Sequence, residues 1–130
     1  MKHYEVVAAI IVDGDKILCV QRGDSKYAYV SRKFEFPGGK MEIGETKAEA
    51  ISREIKEELK MVITVGEEFL TVNHQYPDFS LTMHSFICTA SDLVFTLTEH
   101  ISFKWLTRAE LGELDWAAAD IPIVDKLIRS

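Results

Sequence analysis

Gly38-Gly39-Lys40-Met41-Glu42-Ile43-Gly44-Glu45, then Arg53-Glu54-Ile55-Lys56-Glu57-Glu58, is the stretch that decides how this 130-residue chain is read. Across it, Thr46 to Leu59 has the period of a helix, with Ala48, Ile51, Ile55 and Leu59 recurring on one side. Thr46 with Glu49 three residues later is a capping box, which marks the helix start. At 100° per residue, Glu54, Glu57 and Glu58 share an arc of about 100° beside the apolar stripe. Like charges at these spacings cost roughly a few tenths of a kcal/mol each. They also occupy the C-terminal half of the helix, where the macrodipole disfavours negative charge. Carboxylates so placed call for a cation, and hard oxygen donors select Mg²⁺ or Mn²⁺. The three glutamates alone could equally be a solvated acidic face, neutralised in part by Arg53, Lys56 and Lys60. The glycines upstream favour the metal: Pro37-Gly38-Gly39 lets backbone approach a ligand, and Gly44 allows a sharp turn before the helix.

Outward from this segment, composition sets bounds. The chain is 47% hydrophobic and 28% charged, as for a globular domain rather than a disordered chain. Its length suits one domain spanning 1–130. A net charge of −6 argues against binding nucleic-acid polymer or anionic membrane, while leaving room for a polyanionic small molecule bridged by a metal. Val6–Val12 is the longest apolar run and far too short to span a bilayer. Cys19 and Cys88 lie in strand-like runs without metal spacing, which predicts buried thiols in a reducing compartment and a cytoplasmic protein.

Val6–Val12 and Lys16–Gln21 read as a hairpin around Asp13-Gly14-Asp15. Gly23–Lys33 reads as a loop, and Phe34–Phe36 as a short strand. Phe69–Tyr76 and Phe79–Ala90 form a second expected hairpin around Pro77-Asp78, followed by a strand at Ile101–Leu106. Thr107 with Glu110 is a further capping box, and Asp120–Ile128 closes as a helix with Pro122 in its first turn. Strands alternating with few helices indicate an α/β or α+β domain.

Gly39, Glu45, Arg53, Glu54, Ile55, Glu57, Glu58 and Met61 together resemble the Nudix box of the Nudix hydrolases, departing from it where the box glycine is Lys60. That glycine caps the helix in a left-handed conformation, so lysine there should cost about 1 kcal/mol or shift the cap. Glu5–Val12, Gln21-Arg22, Phe34–Lys40 and Ala119-Asp120-Ile121-Pro122 extend the resemblance to MutT-type nucleoside triphosphate diphosphatases, most of all to the CTP pyrophosphohydrolase branch. The resemblance implies an α/β/α sandwich with a mixed central sheet flanked by helices. It implies Mg²⁺-dependent hydrolysis of (deoxy)nucleoside triphosphates to monophosphate and pyrophosphate, either on oxidised nucleotides of the 8-oxo-dGTP type or on CTP-type pyrimidines. ADP-ribose or nucleotide sugars are the alternative substrates, and a non-catalytic nucleotide-binding module is the alternative class.

Residue by residue, the resemblance gives the metal to Glu54, Glu57 and Glu58 with the Gly38 carbonyl. It gives Arg53 the work of orienting glutamates. Glu99 aligns with a residue that binds metal or activates water, and reads otherwise as a loop glutamate; His100 reads as a loop histidine. Arg22 matches a phosphate-contacting arginine, or else is a surface arginine. Glu35, Phe36 and Pro37 lie where the nucleotide pocket forms, although Phe34 and Phe36 also suit the core. Asp120 aligns with the residue that reads the base and could instead cap the last helix. Monomer and small homodimer both stay open.

Overall fold

The computed structural model describes residues 1–130. Strand β1 (Lys2–Asp13) is its axis. Lys2–Ile11 pairs in parallel with Phe79–Cys88 of β6 (Phe79–Thr89), and Val12-Asp13 turns through Gly14 into β2 (Lys16–Gln21). On its other side Val6–Ala8 pairs antiparallel with β4 (Gly38–Lys40), while β3 (Phe34–Glu35) pairs with β2. β5 (Thr64–Gln75) lies antiparallel to β6, and β7 (Ser102–Thr107) antiparallel to β2. The seven strands make one mixed sheet.

Helix α1 (Lys47–Leu59) covers one face, and a 3-10 turn at Arg108–Glu113 with helix α2 (Ile121–Arg129) covers the other. Side chains alternate along a strand, so Val7, Ala9 and Ile11 meet Ile51, Ile55 and Leu59 of α1. Ala8 and Ile10 meet Leu111, Ile123 and Leu127 on the opposite face. A strand buried on both faces must be apolar throughout, which explains the unbroken run at Val6–Val12. The expected α/β/α sandwich is present.

Several boundaries differ from expectation. Gly38–Lys40 is a strand that no sequence pattern marks: a Cβ on Gly38 would overlap the Val7 carbonyl, so this glycine admits close strand approach. β5 begins at Thr64, five residues before Phe69, because bulges around Glu68 break its alternation; a Cβ at Gly66 would meet the Ile87 carbonyl at 2.7 Å. In α1, Ala50 is buried where Ala48 was expected. Lys60 takes the left-handed cap itself, at φ 55° and ψ 34°, with its N–H on the Lys56 carbonyl, so the cap has not moved. Both cysteines are buried and unpaired, and burial pushes each thiol up to about 12. No helix is long and apolar enough to cross a membrane.

Candidate active site

Arg53, midway along α1, is a hub of ion pairs. Its Nε donates to Glu45 Oε2 at 2.7 Å and its Nη2 to Glu45 Oε1 at 2.9 Å, a bidentate pair that pulls the Glu45 carboxyl down to about 2. Nη1 donates to Glu54 at 2.8 Å and Glu57 at 3.4 Å, and Nη2 reaches the Lys40 carbonyl at 2.9 Å. The capping box closes as expected, with Thr46 Oγ1 accepting from the Glu49 N–H and Glu49 accepting from the Thr46 N–H. One guanidinium therefore fastens the helix to the Gly38–Glu45 segment. Glu45 was read as a motif position only; its opposite charge eight residues before Arg53 is the signal for this clamp.

Glu58 faces inward and is 3% exposed. Its Oε2 is buried with no hydrogen-bond partner, and burial first, then Glu35, Glu54 and Glu99, pushes its carboxyl up to about 9. Burial also raises Glu54, against the pull of Arg53. A Cβ on Gly39 would overlap the Glu54 carboxylate, so Gly39 is the cradle for that side chain. Glu99 is brought to this group by Thr98, whose Oγ1 donates to the Glu57 and Glu58 carbonyls at 2.9 Å each. The Thr98 N–H donates to the Glu58 carbonyl at 3.0 Å. The loop thus satisfies carbonyls that the end of α1 would leave open. Thr98 was not singled out from the sequence, because nothing local reveals a contact made across some forty residues.

These donors fit a hard divalent cation: all are oxygens, and one is a buried carboxylate oxygen without a counter-group. The expected convergence is not drawn together, however. No three His, Cys, Asp or Glu side chains meet closely enough to hold a metal ion as they stand. Arg53 holds Glu54 and Glu57 as its own partners.

A cavity of about 1020 Å³ is lined by Glu54, Glu58 and Glu99, by Arg22, Glu35, Phe36 and Gly38, and by Tyr76 and Asp120. Asp120 is 5% exposed; its Oδ1 accepts the Phe36 N–H at 3.0 Å, and burial, then Glu35, raises its carboxyl well above the usual range. It occupies the N-cap position of α2 but makes no side-chain cap hydrogen bond there. Tyr76, missed in the sequence, holds the adjacent backbone by accepting the Ala119 N–H at 3.0 Å. Phe34 and Phe36 are both buried, and Phe36 stacks on Trp116 while lining the cavity, so it serves core and pocket together. Pro37 lies beside the cavity without lining it; its carbonyl accepts the Ala9 N–H and ties the turn to β1. Arg22 reaches Glu35 Oε1 at 3.4 Å, and His100 Nε2 bonds Glu35 Oε2 at 2.9 Å. His100 sits in a loop, as expected, but its side chain is enclosed there, at 4% exposed. His84 is nearly buried between Glu5 and Thr71, as a structural residue.

The sequence model of the NUDIX domain matches residues 6–126. The chain is 38% identical over 128 residues to the CTP pyrophosphohydrolase of Escherichia coli, covering 96% of this chain and 91% of that protein. It is 27% identical over 129 residues to the 8-oxo-dGTP diphosphatase of the same organism, covering 99% of each. Among solved structures, a MutT protein of the Nudix hydrolase family from methicillin-resistant Staphylococcus aureus superposes with a TM-score of 0.76 at 42% identity, covering 99% of this chain and 98% of that one.

Proposed function

The chain belongs to the Nudix hydrolase family, and from that premise we propose that it is a divalent-metal-dependent diphosphatase of (deoxy)nucleoside triphosphates, releasing monophosphate and pyrophosphate. The observation that carries this reading is one cavity shared by Glu54, Glu99 and the partnerless buried oxygen of Glu58, by the cationic Arg22 and by the buried Asp120. Carboxylates suit a metal–phosphate group, a guanidinium suits phosphate oxygens, and a buried hydrogen-bonding carboxyl suits a base edge.

Glu54, Glu57, Glu58 and Glu99, with the Gly38 carbonyl, would hold Mg²⁺, or Mn²⁺ in its place. When bound, such an ion offsets phosphate charge and favours the ionised form of a coordinated water. Arg22 binds the phosphate chain. Arg53 positions Glu54 and Glu57 and touches no substrate. Glu99 takes the proton from the attacking water: it is exposed and free of the ion pairs that hold Glu54 and Glu57. Phe36 walls the nucleotide pocket, with Pro37 holding the turn beside it, and Asp120 reads the base. The Asp120 Oδ1 already accepts the Phe36 N–H, so the rest of the carboxyl is what can meet a base edge. The relatives act on CTP and 8-oxo-dGTP by name. Residues 1–130 act as one domain in a cytoplasmic protein, and a monomer or small homodimer serves equally, because every assigned group comes from one chain.

A hydrolysis panel with Mg²⁺ tests this: common and oxidised triphosphates, ADP-ribose and a nucleotide sugar, with Glu57→Gln as the blank. Pyrophosphate release from a triphosphate, lost in the variant, supports the reading. Cleavage of ADP-ribose or the sugar nucleotide alone overturns the substrate class, and binding without turnover overturns catalysis.

A further inference from the structure

His100 has no part in the reading above, yet it is among the most enclosed polar side chains at the site. Its ring is 4% exposed, Nε2 bonds Glu35 Oε2 at 2.9 Å, and Nδ1 is buried without a partner. With Nε2 against a carboxylate, the proton belongs on Nε2 and the lone pair on Nδ1. Glu35 is thereby divided: one oxygen accepts from His100, and the other faces the Arg22 guanidinium at 3.4 Å. That separation is long for a charge-assisted bond, so Arg22 is steered by Glu35 without being fully consumed by it. Removing the His100 donor frees Glu35 to turn its whole carboxylate onto Arg22 and close a bidentate pair.

The main chain around His100 is fixed to the same place. The Ile101 N–H donates to the Gln21 carbonyl at 2.9 Å, and Ser102 Oγ donates to Gln21 Oε1 at 2.6 Å. Gln21 Nε2 in turn donates to the Arg32 carbonyl at 2.9 Å, and the Arg22 N–H to the Lys33 carbonyl at 3.0 Å. The residue before Arg22 is thus tied to the residues after His100, and the side chains complete the link as His100–Glu35–Arg22. A smaller polar cavity of about 260 Å³ is lined by Arg22, Asp24, Ser25, Glu35, Glu99 and His100, so this chain of contacts borders open space.

We propose that His100 is a positioning residue for phosphate binding: by occupying Glu35 Oε2 it keeps the Arg22 guanidinium available to the substrate. This rests on the reading of Arg22 as a phosphate contact. A hydrogen bond to a charged group has a net worth corresponding to roughly ten- to hundredfold in an equilibrium. His100→Ala should therefore raise KM for the preferred triphosphate about tenfold, with kcat changed less than about threefold.

The experiment is steady-state kinetics on His100→Ala, His100→Leu and His100→Gln, each also in a Glu35→Gln background, with Arg22→Ala alongside and thermal unfolding of every variant. Gln places an amide donor near the Nε2 position and should recover most of the KM; Leu fills the space without a donor and should not. In the Glu35→Gln background His100→Leu should add little, since the acceptor it controls has lost its charge. Failure of Gln to recover KM, or equal effects of Leu in both backgrounds, overturns the proposal in favour of packing. If Arg22→Ala raises KM while His100→Ala does not, this inference fails and the reading of Arg22 stands. If Arg22→Ala leaves KM unchanged, the reading beneath it fails.

Discussion

Replacing Glu58 by glutamine should stabilise the metal-free protein while weakening its response to metal. Glu58 is buried with Oε2 unpartnered, and its carboxyl is pushed up from an ordinary 4.5 to about 9. At pH 7 the unfolded chain carries this group ionised, and folding forces it to take up a proton. Over the two to three pH units above the ordinary value, that uptake costs about 3 kcal/mol. Glutamine removes the titration but brings an amide that needs partners of its own, at about 1 kcal/mol. The net gain at pH 7 in excess chelator is about 2 kcal/mol, or an upward Tm shift of about 6 °C at this size. The sign follows from a folded value above the unfolded one: the contribution of Glu58 is fully present below pH 4.5 and is lost as pH rises toward 9. The gap between variant and parent should therefore widen from pH 5 to pH 9 and shrink below pH 4.5. Adding Mg²⁺ should raise the parent's Tm by mass action and the variant's much less, so that the two curves approach or cross. Calorimetric scans with chelator and with Mg²⁺ across this range give both readouts. A variant less stable than the parent in chelator at every pH would refute the reasoning, since it would show Glu58 packed as an ordinary neutral core residue.

Arg53→Lys should lower kcat/KM roughly a hundredfold, because a single ammonium cannot serve Glu45, Glu54, Glu57 and the Lys40 carbonyl together; activity within a few-fold of the parent would show that the clamp is dispensable. Lys60→Gly should stabilise by about 1 kcal/mol and raise Tm by about 3 °C, since the cap already holds a left-handed backbone. Its kcat/KM should not change, and a fall in Tm would mean that Lys60 pays its conformational cost through contacts of its side chain. Burial holds Cys19 and Cys88 near 12 against an ordinary 9.0, so stability should be unaffected by either thiol below pH 9 and decline between pH 9 and 12. Each thiol contributes about 1.4 kcal/mol per pH unit in that window. Urea unfolding of the parent and a Cys19→Ala, Cys88→Ala variant should diverge in slope there, and parallel slopes would contradict the burial argument.

The architecture was legible where local signals agree with the tertiary use of a segment. α1 shows this best, since its period, capping box and apolar stripe all point one way. β4 shows the opposite. Gly38 and Gly39 carry no strand propensity, and their reason for being glycine is external: the backbone of β1 on one side and the Glu54 carboxylate on the other. β5 hid its first residues behind a bulge at Glu68, which interrupts the alternation that marks a strand. Among site residues, Glu54, Glu58 and Asp120 were legible through resemblance, but the burial that perturbs them was not, because it depends on strands distant in sequence. Thr98, Tyr76 and His100 were not legible at all. Each acts through a contact spanning tens of residues, onto Glu57 and Glu58, Ala119 and Glu35 respectively.

The placement of the costly groups shows how the fold tolerates them. Full burial of Ile51, Ile55 and Leu59 contributes about 2 kcal/mol or more per side chain, against a penalty of about 3 kcal/mol for Glu58 at neutral pH. The same helix thus contains both the strain and the packing that outweighs it. Glu54 and Glu57 add little further cost, because Arg53 shares its guanidinium between them while anchored by Glu45. Glu58 Oε2 has no partner, while Arg53 is held by Glu45 and Arg22 faces Glu35 at 3.4 Å. A buried carboxyl oxygen without a partner, on a group that folding holds protonated at neutral pH, is what distinguishes this acidic helix face from a solvated one, and it is the property that a divalent ion would relieve.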